Sequence, residues 1–170
     1  VWPEALDETN SGKELYRNYL IPITMVISIM VLLINLINYN FWQATGLTII
    51  NLIAMLIGNW FAYLITREYL CRKLSFDTNL ALNLTVYSGV IFIIFHSIGN
   101  ALGNIFLGQL FTLLSFIFIR TLYKGLGQIP RLHPGQKTNI LVISSLAIIC
   151  IPVIINQLLM IIFGISAFNI

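Results

Sequence analysis

The sequence predicts an all-α protein: a polytopic membrane helix bundle of five transmembrane helices, with the N-terminus inside the cell and the C-terminus outside. Three observations predict this fold class. The 170 residues are 58% hydrophobic and 9% charged, whereas a soluble domain carries about 25% charged residues. Five long apolar runs follow one another, and the charged residues fall in alternate segments outside them, apart from Arg120 at the end of the fourth run. This composition excludes a soluble globular domain and intrinsic disorder, and two cysteines are too few for a disulfide scaffold.

Five stretches are long and apolar enough to cross a bilayer. Because lipid offers the backbone no hydrogen-bond partners, a span needs about 20 mostly apolar residues in a helix. The predicted spans are Tyr19 to Ile37, Ala44 to Ile65, Leu80 to Ile98, Ile105 to Leu122 and Ile140 to Phe163. Transmembrane β-strands are excluded, since runs such as Val90 to Phe95 do not alternate apolar with polar residues. We therefore predict a cytoplasmic or interfacial lead-in at residues 1–18 and a single five-helix transmembrane domain at residues 19–170.

Capping and turn residues predict where some helices begin and end. The segment Ser11-Gly12-Lys13-Glu14 has the form of a capping box, which predicts a helix that starts near Gly12. Gly125 or Gly127 is expected to end the fourth helix as a left-handed C-cap. The residues from Pro130 to Gly135 are expected to turn the chain toward the fifth span.

The charged residues predict the orientation. The nine basic residues are Lys13 and Arg17; Arg67, Arg72 and Lys73; and Arg120, Lys124, Arg131 and Lys137. The six acidic residues, Glu4, Asp7, Glu8, Glu14, Glu68 and Asp77, fall in the same alternate segments. The loops Asn38 to Gln43 and Gly99 to Asn104 carry no charge, so the positive-inside rule places the charged side in the cytoplasm. The net charge of +3 then reflects topology, and we expect no nucleic-acid partner.

Few residues in the spans can carry chemistry. The one ionisable side chain well inside a span is His96, which has no acidic partner there and is more typical of packing than of a proton relay. His133 lies in a loop on the opposite side, about 30 Å away, so the two cannot share a metal or haem. Cys71 and Cys150 are likewise too far apart for a disulfide or a shared thiolate site. With no nucleophile, phosphate-binding or dinucleotide motif, we expect no catalytic residue, no cofactor and no metal, and therefore no enzyme.

Amide and small residues mark where the helices contact each other or a partner. Intramembrane amides hydrogen-bond between helices at about 0.6–2 kcal/mol each, and small residues four apart let a neighbour approach closely. The candidate helix-packing or partner-contact residues are Asn51, Asn59, Asn83, Gly99, Gly103, Gln109 and Asn156. Pro22 and Pro152 are expected to kink the first and fifth spans or to free carbonyls for a partner. The pattern favours helix packing over a substrate pathway.

Short motifs along nearly the whole chain carry a family resemblance. They are the acidic lead-in around Trp2, Tyr19-Leu20-Ile21-Pro22, Tyr87-Ser88, Leu122-Tyr123-Lys124-Gly125 and Ile151-Pro152. In them the chain resembles the Yip1-domain family of small five-span proteins with a cytoplasmic N-terminus, and in particular its bacterial, Bacteroidetes-type branch. The resemblance implies no catalytic residue. Its eukaryotic members bind small GTPases in vesicle traffic, a role that would use Glu4 to Arg17 and the two basic loops.

Two functions remain from the sequence. We expect a non-enzymatic scaffold or accessory subunit in a bacterial inner membrane, whose partners are the lipid bilayer and other membrane subunits or further copies of the chain. The alternative is a small transporter or channel for a neutral or lipidic solute, with Asn and Gln residues on the inner helix faces.

Overall fold

The computed structural model describes residues 12–74, 78–103, 105–129 and 132–165. The helices are α1 (Gly12–Leu15), a π-helical segment (Tyr16–Leu20), α2 (Ile21–Asn38), α3 (Phe41–Leu74), α4 (Thr78–Leu102), α5 (Phe106–Ser115), α6 (Ile117–Gly127) and α7 (Pro134–Ile162). These described ranges contain no β-strand. Trp2, Ser11 and Asp77 lie outside them.

Five helical stretches are long and apolar enough to cross a membrane, which confirms the predicted helical fold and the predicted number of apolar helices of that length among the described residues. They are Tyr16–Asn38, Phe41–Leu70, Asn79–Leu102, Phe106–Gly127 and Pro134–Ile162. Each predicted span lies within one of them to within a residue at either end. The helices extend further than the apolar runs because hydropathy marks only the part suited to hydrocarbon, whereas the helical backbone continues into polar sequence.

Successive spans alternate in direction, so the two ends of the bundle differ. The end of α3 carries Arg67, and Lys124 and Lys137 lie where α6 ends and α7 begins; we call this the charged end. The turns after Asn38 and Leu102 lie at the opposite end, which we call the neutral end.

Helix α4 is the centre of the bundle. Its span is 72% buried, whereas the other four spans are 22–50% buried, and α4 contacts α2, α3, α5, α6 and α7. Its buried apolar side chains include Leu84, Val86 and Phe92. The two cavities described below both have α4 as one wall.

The first span is anchored to α3 before it reaches the predicted membrane boundary. Leu15 is buried, and the hydroxyl of Tyr16 donates a hydrogen bond to the backbone carbonyl of Leu56. The Tyr16 ring packs edge-on against Trp60, with 5.4 Å between ring centroids. The last residues of the predicted lead-in are thus packed against the helices of the bundle.

The fourth span is two helices, where the sequence predicts one. The backbone N–H of Phe116 bonds to the carbonyl of Leu113, three residues earlier, at 3.1 Å. The Ser115 hydroxyl also donates to the carbonyl of Thr112 at 2.6 Å. Such short-range bonds compete with the regular helical ladder and bend the helix, so α5 ends at Ser115 and α6 begins at Ile117.

Two predicted turns are wrong. Helix α6 does end at Gly127, but its C-cap residue is Gln128, which has a φ of −83°. Neither Gly125 nor Gly127 is among the described glycines with positive φ, so neither is a left-handed C-cap. The predicted turn from Pro130 to Gly135 gives way to helix at Pro134, where α7 begins. Proline is well suited to a first helical turn because the N–H that it lacks would have no partner there.

Candidate functional site

Polar side chains from four helices line a cavity of about 150 Å³ in the neutral half of the bundle. We call it the amide cavity. Its polar lining residues are Asn35 from α2, Asn51 from α3, Ser97 and Asn100 from α4, and Asn156 and Gln157 from α7; Tyr39 adds a ring at the turn between α2 and α3. None of the described lining residues is Asp, Glu, Lys, Arg or His.

The cavity has an exposed rim and a buried interior. Asn100 and Gln157 are exposed, whereas Asn51 is 5% and Ser97 1% exposed. Ser97 lies five residues before the end of α4, which places it about 8 Å inside the neutral end at 1.5 Å per residue. The cavity is therefore a shallow cup that reaches into one half of the bundle.

A hydrogen-bonded clamp holds the wall formed by α2 and α3. The amide Nδ2 of Asn35 donates to Thr48 Oγ1 at 3.1 Å, and that hydroxyl donates to the carbonyl of Ala44 at 2.8 Å. At the turn between the two helices, Asn40 Oδ1 accepts the backbone N–H of Gln43 at 3.0 Å. The Asn35–Thr48 bond joins the two helices beside the cavity, and the Asn40–Gln43 bond caps the start of α3.

Two buried atoms of the residues that line the cavity have no hydrogen-bond partner among the described residues. They are Asn51 Oδ1 and Ser97 Oγ. A buried polar atom left unpaired costs about 1–3 kcal/mol. Both residues line the amide cavity, so the unpaired atoms lie in its wall.

Buried apolar side chains lie one helical turn from the cavity lining, on the side toward the charged end. Residues four apart lie on the same face of a helix, and four residues before Val31, Ser97 and Asn156 stand Ile27, Ile93 and Pro152, all buried. On the antiparallel α3 the equivalent position is Met55, four residues after Asn51 and 1% exposed. We call Ile27, Met55, Ile93 and Pro152 the apolar layer. Met55 and Ile93 belong to the main buried core of the bundle, and Ile27 packs with Val31 and Ala101.

The structure places the predicted amides at several different sites. Asn51 and Asn156 line the amide cavity. Asn59 is 2% exposed and lies against Gly89 of α4, where any Cβ would collide with its Nδ2. Asn83 is 2% exposed in the half nearer the charged end, where it interacts within the bundle. The buried amides thus face the interior of the bundle.

Gly99, Gly103 and Gln109 lie together at a different place. They line an open groove of about 500 Å³ between α4 and α5. A Cβ at Gly99 would lie 2.9 Å from the backbone nitrogen of Thr112, so glycine lets the two helices approach. Gly103 has a φ of +67°, which glycine adopts without strain, and it turns the chain between α4 and α5.

Sequence reasoning did not select Asn35, Ser97, Asn100 and Gln157 as site residues. A coarser signal for them is available: each lies in one of the two uncharged loops, or within six residues of one or of the C-terminal end of the fifth span, and so on the same side of the bundle as Asn51 and Asn156. What the sequence does not give is the side of each helix on which they lie.

His96 packs in an aromatic cluster. Its ring stacks on Phe92 with 4.7 Å between centroids and an interplanar angle of 14°, and Phe92 meets Phe118 edge-on at 5.7 Å. Among the described residues, no three His, Cys, Asp or Glu side chains are grouped so as to hold a metal ion.

No protein-family model, curated protein or solved structure matches the chain. Its resemblance to the Yip1-domain family therefore stays a prediction from short motifs, and the function has to be argued from the geometry.

Proposed function

We propose that this chain is a non-enzymatic multi-pass membrane protein that acts as a scaffold or accessory subunit of a membrane complex. The observation that carries the proposal is the apolar layer. A pump or channel needs polar or ionisable groups along its path, and we infer that the buried side chains of Ile27, Met55, Ile93 and Pro152 interrupt such a path on the charged side of the amide cavity. No buried residue of the described chain is Asp, Glu, Lys or Arg.

The pairing of intramembrane polar groups supports the same role. Thr66 Oγ1 and Ser144 Oγ are 3.0 Å apart across α3 and α7, and Asn35 is bonded to Thr48. Because these bonds form within the chain, the bundle is organised as one unit before it meets a partner. Such a unit can present a fixed outer surface to another subunit.

The outer face of α5 and α6 is the surface that we assign to a partner. The fourth span is 22% buried, the smallest share of the five. Its exposed side chains include Phe106 at 77%, Leu113 at 66% and Ile117 at 44%. Apolar side chains suit both lipid and a neighbouring helix, and the open groove beside Gly103 gives a neighbouring helix room to approach α4.

Cysteine crosslinking tests this assignment. In a Cys71→Ser, Cys150→Ser background, Leu113→Cys will form a disulfide or bis-maleimide crosslink to another subunit in native membranes. Leu33→Cys on α2, which is 60% exposed, is the matched control and will stay uncrosslinked. Native mass measurement in mild detergent will show the same assembly. A partnerless monomer, with equal results at the two positions, would refute the scaffold role.

The cellular setting belongs to the same proposal. We place the charged end in the cytoplasm of a bacterium and the chain in its inner membrane, following the positive-inside rule. Membership of the Yip1-like class rests on the short sequence motifs alone.

The amide cavity favours a second candidate, a small transporter for a neutral or lipidic solute. Transport would require the apolar layer to open. In that case Asn51→Leu, Asn83→Leu and Gln109→Leu together would reduce solute flux into liposomes.

A further inference from the structure

We propose that the amide cavity binds a small uncharged polyol, of about the size of glycerol, that enters from the neutral end. This site does not require the scaffold role. For the alternative that the chain is a transporter, the site only names the class of solute. A molecule can bind in the cup without crossing the membrane.

The size of the cavity limits the ligand. A cavity of about 150 Å³ is the size that holds one benzene molecule, with about six non-hydrogen atoms. The same space holds about five waters at about 30 Å³ each. A ligand must therefore be small, and it must replace the hydrogen bonds of the waters that it displaces.

The charge of the lining limits the ligand further. The described lining is made of amides, a serine, a tyrosine and apolar side chains, with no group of formal charge. An ion that entered would lose hydration without a compensating opposite charge, which is very costly. The cavity therefore selects uncharged molecules.

The two unpartnered atoms favour hydroxyl groups on the ligand. Asn51 Oδ1 accepts a hydrogen bond, and Ser97 Oγ can donate or accept. A hydroxyl donates to the first and pairs either way with the second. It also pairs with either end of the exposed carboxamides of Asn100 and Gln157, so several hydroxyls on a short carbon chain satisfy the lining at once.

The buried atoms and the apolar layer make the cavity a binding site. Asn51 and Ser97 lie at the inner end of the cup, and Met55 and Ile93 follow one turn beyond them. A ligand that hydrogen-bonds to the two unpartnered atoms would therefore place its other side against Met55 and Ile93. These apolar side chains suit the C–H groups of a polyol.

Saturation-transfer difference NMR on the full chain in nanodiscs of neutral lipid tests the proposal. The probe is glycerol, and lactate is the control probe because it has the same number of non-hydrogen atoms but carries a charge. We expect a glycerol signal above that of empty nanodiscs and no lactate signal. Ser97→Ala, which keeps the volume of the side chain nearly unchanged, will weaken glycerol binding about fivefold, as expected for one hydrogen bond.

Two further variants complete the design. Asn51→Leu will abolish the glycerol signal, whereas Asn38→Leu, an exposed residue outside the cavity, will leave it unchanged. A glycerol signal that equals the empty-nanodisc signal would mean that the cavity holds only water and would overturn the proposal, as would equal binding by Ser97→Ala and wild type, or equal signals from lactate and glycerol. None of these results changes the crosslinking expected at Leu113, so the two proposals can fail separately.

Discussion

Gly108→Ala will lower the thermal midpoint of the detergent-solubilised protein by about 10 °C. Gly108 is buried in the first turn of α5. A Cβ there would collide with the carbonyl oxygen of Gly103 and lie 3.0 Å from the carbonyl oxygen of Gly99. Both obstacles are backbone atoms that cannot rotate away, so α5 must move off α4. Overpacking of this kind costs about 3 kcal/mol, and each kcal/mol shifts the midpoint by about 2–4 °C at this chain length.

Whether the thermal midpoint falls or rises distinguishes a crowded glycine from an uncrowded one. Alanine is a better helix former than glycine by about 1 kcal/mol. A Gly→Ala substitution therefore stabilises the protein where the added Cβ meets no other atom. Gly127→Ala is the matched control, because a Cβ at Gly127 has no atom within 4 Å. Scanning fluorimetry will show Gly127→Ala unchanged or more stable. If Gly108→Ala behaves like this control, the close approach of α4 and α5 is wrong.

Gly58→Ala will destabilise the contact between α3 and α7 by about 2–3 kcal/mol, seen as a fall in midpoint of about 5–10 °C. A Cβ at Gly58 would lie 2.6 Å from Cα and 2.5 Å from Cγ of Pro152. Pro152 has no N–H and so removes one backbone hydrogen bond from α7 at this level, and its ring packs directly against α3 at Gly58. The effect therefore reports on the apolar layer itself.

A double mutant separates the proline ring from the backbone. Adding Pro152→Ala to Gly58→Ala removes the obstructing ring but leaves the Cα, so we expect partial recovery of the midpoint relative to the sum of the single changes. Gly135→Ala is the control, since a Cβ at Gly135 meets no atom within 4 Å. If the change in thermal midpoint of the double mutant equals the sum of the changes of the two single mutants, the contact between Gly58 and Pro152 is contradicted.

The five spans could be predicted because the apolar runs are long and their charges fall outside them. The start of α7 was missed although a signal exists: Pro134 at the first helical position is followed by Gln136, whose Oε1 accepts the backbone N–H of His133 at 3.2 Å. The break at Phe116 had no such signal, because neither proline nor glycine marks it. It depends on the local bond from Ser115, which sequence alone does not specify.

The candidate site was harder to predict, for a physical reason. Spans that are apolar on every side carry no periodic pattern that separates the inner face from the outer face. Asn51 and Asn156 were selected as packing residues, but their meeting with Ser97 in one cavity depends on how α3, α4 and α7 rotate about their axes. That rotation is set by close contacts such as Gly58 with Pro152 and Asn59 with Gly89.

Solute flux into liposomes tests the central claim most directly, namely that the apolar layer closes the bundle interior. The purified chain is reconstituted, and glycerol-driven reswelling is followed by stopped-flow light scattering. The account predicts the same rate as in protein-free liposomes, even where glycerol binding is detected. A faster rate that falls when Asn51, Asn83 and Gln109 become Leu would contradict the account and establish the chain as a transporter.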